Sequence, residues 1–231
     1  MINYKHIKND YRQIIREPIM LLLFILPIFI PIIFKLLLIF SIPFIENYFK
    51  FSITPYHSCI LSLTLVLIPG MLGVVTGFMM LDEKDGKISE LMSITPLGKM
   101  GYLLNRLSFS FIGTFIYTIF TYYLLNVYHV PILTLLFIAI LLGIYSFVIG
   151  SILFVLSDDK VKGLTYAKAL NIMLLFSISD LLNERWVTIL SNIFPPYWIT
   201  KIIQNPNNIL ILLIALFIHV IWLLIVIKKN N

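Results

Sequence analysis

Four histidines, one cysteine and eleven carboxylates are the side chains of this 231-residue sequence that could bind metal or act as acid and base. A hydrolase working at membrane depth needs convergent His and Glu ligands, or a nucleophile beside its base. His6, His57, His129 and His219 stand far apart, and no HExxH or paired-Glu motif occurs. Cys59, the lone cysteine, excludes an intrachain disulfide and a multi-cysteine metal site, and reads as a buried thiol. Nucleotide chemistry fares no better. A P-loop holds phosphates with Gly-x4-Gly-Lys-Ser/Thr, and the nearest pattern, Gly143 to Gly150-Ser151, has the wrong spacing and no lysine. Those glycines suit close helix packing. The chain is therefore expected to be no enzyme, with no metal and no cofactor of its own. A secondary transporter or channel is the remaining alternative, and it usually holds charges near the midplane. Only His219 falls in mid-run, while Asp180 and Glu184 sit near one end of a run and Asp158-Asp159 near the other. No internal repeat relates the halves.

The elements that must carry these residues follow from composition. Hydrophobic side chains make up 60% of the chain and charged ones only 12%, about half the share of a soluble domain. Mean hydropathy is +0.98, which marks an integral membrane protein. Six spans of about 20 residues each absorb nearly all of the apolar content, so the chain reads as one transmembrane domain over 1–231. The net charge of +6 does not indicate nucleic acid, because the basic residues lie between apolar blocks. The N-terminus is expected to stay, since polar residues including Asp10 and Glu17 precede the first run and no small-residue cleavage site follows it.

Apolar runs bounded by charge, Pro and Asn predict spans at Ile19–Phe40, Cys59–Leu81, Leu107–Val127, Ile132–Leu156, Leu164–Leu182 and Ile209–Ile227. Thirteen of the seventeen Lys and Arg fall on the side of the termini, which orients both ends to the cytoplasm. The fifth span is short. Between Lys168 and Asp180 it offers about 18 Å of helix against a core of about 30 Å, so it must start earlier or end later. The external stretch 183–208 is apolar, and Pro195-Pro196 forbids one continuous helix through it. Two short helices dipping into the outer leaflet, or an interfacial loop rich in aromatics, both fit.

Two amphipathic elements lie on the side of the termini. Over 1–17, Tyr4, Ile7, Tyr11, Ile14 and Ile15 form a stripe beside Lys5, Lys8, Arg12 and Arg16, as in a helix lying in the membrane surface. Pro18 then turns the chain into the bilayer. Over 82–99, Ile88, Leu91 and Met92 share a helix face among charges that include Glu83 and Glu90, and Thr95 can cap a new helix starting at Pro96. Such a knob is shaped to dock on a cytoplasmic partner; a solvated loop with ordinary caps is the alternative. On the third span, Phe109, Thr114, Tyr117, Thr121, Tyr122 and Tyr123 would make an amphiphilic face suited to a hydrophobic or amphipathic cargo, or simply pack against neighbours.

The stretch from Glu83 to Gly86, Ser89-Glu90-Leu91-Met92 and Thr95-Pro96-Leu97 resembles the acidic–Gly–x–x–Glu–Leu–Leu–x–x–Thr–Pro segment of ABC-2-type transporter permeases. Asp10-x-Arg12, Arg16-Glu17-Pro18 and Phe194-Pro195-Pro196 resemble the same family at matching places. Met92 stands where Leu is commoner, and the external stretch around Lys35–Tyr56 is long. The resemblance implies an all-α, six-helix permease of a bacterial cell membrane that exports a drug, peptide or lipid. It further implies a second permease subunit and separate cytoplasmic subunits that bind ATP and Mg. The elbow helix would be Met1–Glu17, with Lys5, Lys8, Tyr11, Arg12 and Arg16 at the membrane surface. Glu83–Thr95 with Pro96 would form the coupling segment, and Trp186–Trp198 the outer re-entrant helices. Tyr117, Thr121 and Tyr122 would lie along the path.

Overall fold

A computed structural model describes residues 12–50, 52–88, 91 and 98–230. Among them there is helix and no strand, and six helical stretches are long and apolar enough to cross a membrane. The spans are α1 (Pro18–Phe49), α2 (His57–Asp85), α3 (Gly98–Leu125), α4 (Ile132–Leu156), α5 (Lys160–Ile172) continued by a 3-10 segment (Met173–Leu182), and α8 (Ile209–Asn230). Between the last two lie the short helices α6 (Arg185–Ser191) and α7 (Pro195–Gln204). Six crossings put both chain ends on one side, here the terminal face; the opposite side is the distal face.

The fourth span has the bounds expected of it, and the others run longer. α1 continues to Phe49 through Pro43 and Glu46. Its 32 residues would reach about 48 Å, beyond the thickness of a hydrocarbon core. Prolines inside a spanning helix are tolerated where neighbours resupply the freed carbonyls. The fifth span is lengthened twice. It begins at Lys160, and its last ten residues are 3-10, which rises about 2.0 Å per residue against 1.5 Å for α-helix. The crossing is thereby completed.

α2 is the central post, with 78% of its most apolar window buried against 11% for α1 and 17% for α8. Its Gly73 and Gly77 let α4 approach closely. A β-carbon on Gly73 would lie 2.7 Å from the Ser146 carbonyl, and one on Gly150 would lie 3.0 Å from the Gly73 carbonyl. This is the small-residue contact that lets helices associate in lipid. Gly143, by the same measure, makes room for the Phe111 ring. α1, α8 and the outer faces of α3 and α5 expose large apolar side chains such as Leu37, Phe40, Leu213 and Ile116, as lipid-facing helices do.

Candidate functional site

At the terminal face four elements converge. Residues 12–16 are helical and Glu17 is extended, so the entry helix ends where Pro18 opens α1. Ile14 is fully buried beneath it, while Arg12 and Arg16 are exposed. Gln13 Nε2 donates to the Met79 carbonyl and to Asp82 Oδ2, each at 3.3 Å. Lys160, at the start of α5, sits 2.5 Å from Asp82 and 3.1 Å from Glu17. Lys84 Nζ donates to the Ser157 carbonyl at 3.0 Å. One lysine thus bridges the entry helix, the end of α2 and the start of the fifth span. The next turn is bonded by Lys162 N–H to its N-cap, Asp159, and Lys162 Nζ pairs with Asp158 at 2.7 Å. The hydrogen bond and charge of Lys162 hold the Asp158 carboxyl below its usual range, in a fully solvated pair.

Glu83, expected on the docking surface, is turned inward. It is 5% exposed and accepts from Tyr102 OH at 2.6 Å and from Arg106 Nε at 2.9 Å, with Arg106 Nη2 on its second oxygen. A carboxylate this buried is stable only when paired and hydrogen-bonded, and the fork of Arg106 meets that need. Glu83 therefore clamps α2 to α3. Its signal was present in helix phase: Thr76, Met80 and Glu83 continue one buried stripe at i, i+4, i+7. What could not be read was the partner, 19 and 23 residues further on.

Beyond the clamp the chain projects. Ile88 and Leu91 are 46% and 62% exposed, and Ile88 borders a recess of about 390 Å³ also lined by Arg12, Gln13, Arg16, Glu17, Asp82 and Glu83. Glu90, Met92, Thr95 and Pro96, like Lys5, Lys8 and Tyr11, lie outside the described residues. α3 restarts at Gly98, whose φ of +64° glycine alone among common residues adopts freely.

The expected path residues divide. Tyr117 reaches the Phe24 carbonyl at 3.3 Å, joining α3 to α1, with Phe24 packed on Phe109. Tyr122 OH exchanges hydrogen bonds at 3.0 Å with both Val130 N–H and Val130 C=O, so it closes the 126–131 turn. Thr121 lies on a fully buried hydroxyl stripe with Thr114 and with two residues outside the expected face, Ser110 and Thr118. His219 is buried on α8, its Nδ1 2.7 Å from the Ala215 carbonyl and its ring edge-to-face with Tyr145. That is a helix-bridging environment.

On the distal side α6 and α7 are two short helices joined by a turn over residues 192–194 that reaches inward to Trp222 of α8. Trp198 Nε1 donates to Asn192 C=O at 2.8 Å, and Trp222 Nε1 donates to Ile193 C=O at 2.9 Å. Phe194 stacks on Phe176 at 4.2 Å. Thr200 Oγ1 is 2.5 Å from both the Ser62 hydroxyl and the Ser177 carbonyl, and Lys201 pairs with Asp180 at 2.7 Å over the Tyr197 ring. Burial opposes the charge of Lys201, but the hydrogen bond and charge of Asp180 outweigh it and hold the lysine above its ordinary range.

Comparison with known proteins adds three findings. A family model described as "Fluoroquinolones export permease protein Rv2686c-like" matches residues 10–227. Two curated proteins, the fluoroquinolones export permease proteins Rv2686c and MT2760 of two Mycobacterium tuberculosis strains, are each 22% identical over 198 residues, covering 84% of this chain and 78% of their own. No solved structure matches.

Proposed function

The chain belongs to the family of Rv2686c-like fluoroquinolones export permeases, and from that premise we propose that it is the membrane subunit of an ATP-driven exporter of amphipathic small molecules. The relatives' names specify fluoroquinolones, and planar aromatic drugs of that kind are the substrate proposed here. The terminal face is cytoplasmic in this reading, in keeping with its excess of Lys and Arg. Hydrolysis of ATP with Mg belongs to a separate cytoplasmic subunit, and a second permease chain completes the path.

The observation that carries the proposal is the junction of Gln13, Glu17, Asp82 and Lys160 with Ile88 and Leu91 projecting beyond it. A partner seated on that apolar knob would push on three elements bonded to one another. Residues 1–17 then act as the elbow, 82–99 as the coupling segment and 183–208 as the outer lid. Purification of the tagged protein in mild detergent is expected to bring down an ATPase. Proteoliposomes holding both chains should take up a fluorescent fluoroquinolone with ATP, and those holding this chain alone should not. ATP-driven uptake by this chain alone would refute the proposal.

A further inference from the structure

The 3-10 segment Met173–Leu182 is far longer than the three or four residues at which such runs usually stop. Its hydrogen bonds are poorer than those of an α-helix, so something outside it must hold the form. The period supplies the answer. At three residues per turn, side chains at i and i+3 eclipse, which aligns Leu174, Ser177 and Asp180 on one ridge. Leu174 meets α2 at Gly70, the Ser177 carbonyl accepts from Thr200, and Asp180 pairs with Lys201. In α-helix each three-residue step turns about 300°, and Asp180 would stand roughly 120° off the line of Leu174. The pairing with Lys201 thus lines up with the Leu174 and Ser177 contacts in the 3-10 form and not in α-helix. The other end of the same span is fixed to the coupling junction by Lys160.

Resting on the exporter reading above, we propose that the fifth span is a strut of two lengths, and that Asp180 is the positioning residue linking ATPase-driven motion at Lys160 to the outer lid. Each residue that passes from 3-10 to α shortens the strut by about 0.5 Å and rotates its end by about 20°. Conversion of a few residues withdraws Asp180 from Lys201 and removes one of the contacts that hold α7. Conversion of all ten shortens it by about 5 Å.

The test uses the complex with its co-purified ATPase in nanodiscs. Spin labels go on Asp158→Cys and Glu184→Cys, which flank the span outside both anchors, in a Cys59→Ser background. Electron–electron distances are compared without nucleotide and after vanadate trapping. A shortening of roughly 2–5 Å on trapping is expected. Asp180→Asn, which keeps the shape but not the charge, should leave the ATPase turning over while export falls roughly tenfold, and Asp180→Lys with Lys201→Asp should restore export. An unchanged distance in a preparation that hydrolyses ATP and exports would overturn the strut while leaving the exporter reading intact. Full export by Asp180→Asn would do the same. Absence of any associated ATPase would remove both.

Discussion

Glu83 and Leu91, eight residues apart, fall on opposite sides of one motif, the first turned inward and the second exposed. Glu83 is buried with Tyr102 and Arg106, and breaking a buried, hydrogen-bonded ion pair costs about 3–5 kcal/mol. Glu83→Ala is accordingly expected to lower the thermal inactivation midpoint of the purified protein. A variant as stable as the parent would mean that the clamp contributes nothing. Leu91 makes no such internal contribution, being 62% exposed. Leu91→Asp should fold and insert normally yet lose the ATPase in co-purification, because an unpaired charge in an apolar groove is strongly unfavourable. Lys87→Ala should resemble the parent, and full retention of the ATPase by Leu91→Asp would remove the coupling assignment. The motif marked both residues in the sequence. It could not say that one faces inward, because burial of Glu83 depends on where α3 returns after Gly98.

At the scale of the element, the sequence was most legible where hydropathy alone decides. The fourth span, apolar from Ile132 to Leu156 with no charge inside it, was bounded correctly from its ends. Bounds slipped where breakers failed to break: Pro43 and Glu46 lie inside α1, in its exposed last turns. The 3-10 form of the fifth span was not readable, since no local signal marks it, and it packs against α2 and α7. Gly150 reads from the sequence as a packing glycine, as the structure shows, whereas its counterparts Gly73 and Gly77 on α2 carried a small-residue repeat that could have been found. Their importance is testable by contrast. A β-carbon at Gly73 meets the Ser146 main-chain carbonyl at 2.7 Å and the Ile149 β-carbon at 2.9 Å, whereas one at Gly113 meets only the tip of Leu72 at 3.2 Å. Gly73→Ala should therefore destabilise by about 1–3 kcal/mol in detergent unfolding, and Gly113→Ala by much less. Equal effects would place the helix contact elsewhere.

For the whole molecule, the question that decides every functional assignment is which face meets the cytoplasm. Six spans require the two termini to share a side, but parity does not choose it. The exporter reading takes it from charge: the segments 1–17, 82–106, 157–168 and 228–229 hold thirteen basic residues, against four on the other side, and Lys and Arg are retained on the side from which insertion occurs. The native thiol, Cys59, is buried, so background labelling is low. Asn126 ends α3 in the left-handed region and is exposed on the distal face. Asp158 is exposed on the terminal face, with 76% of its side chain accessible; the neighbouring Ser157, fully buried, would stay silent on either side of the membrane. A membrane-impermeant maleimide applied to intact cells should therefore label Asn126→Cys and spare Asp158→Cys until the membrane is opened. The reverse pattern would carry the junction of Glu17, Asp82 and Lys160 to the outside, where no ATPase could reach Leu91, and the exporter reading would fall with it.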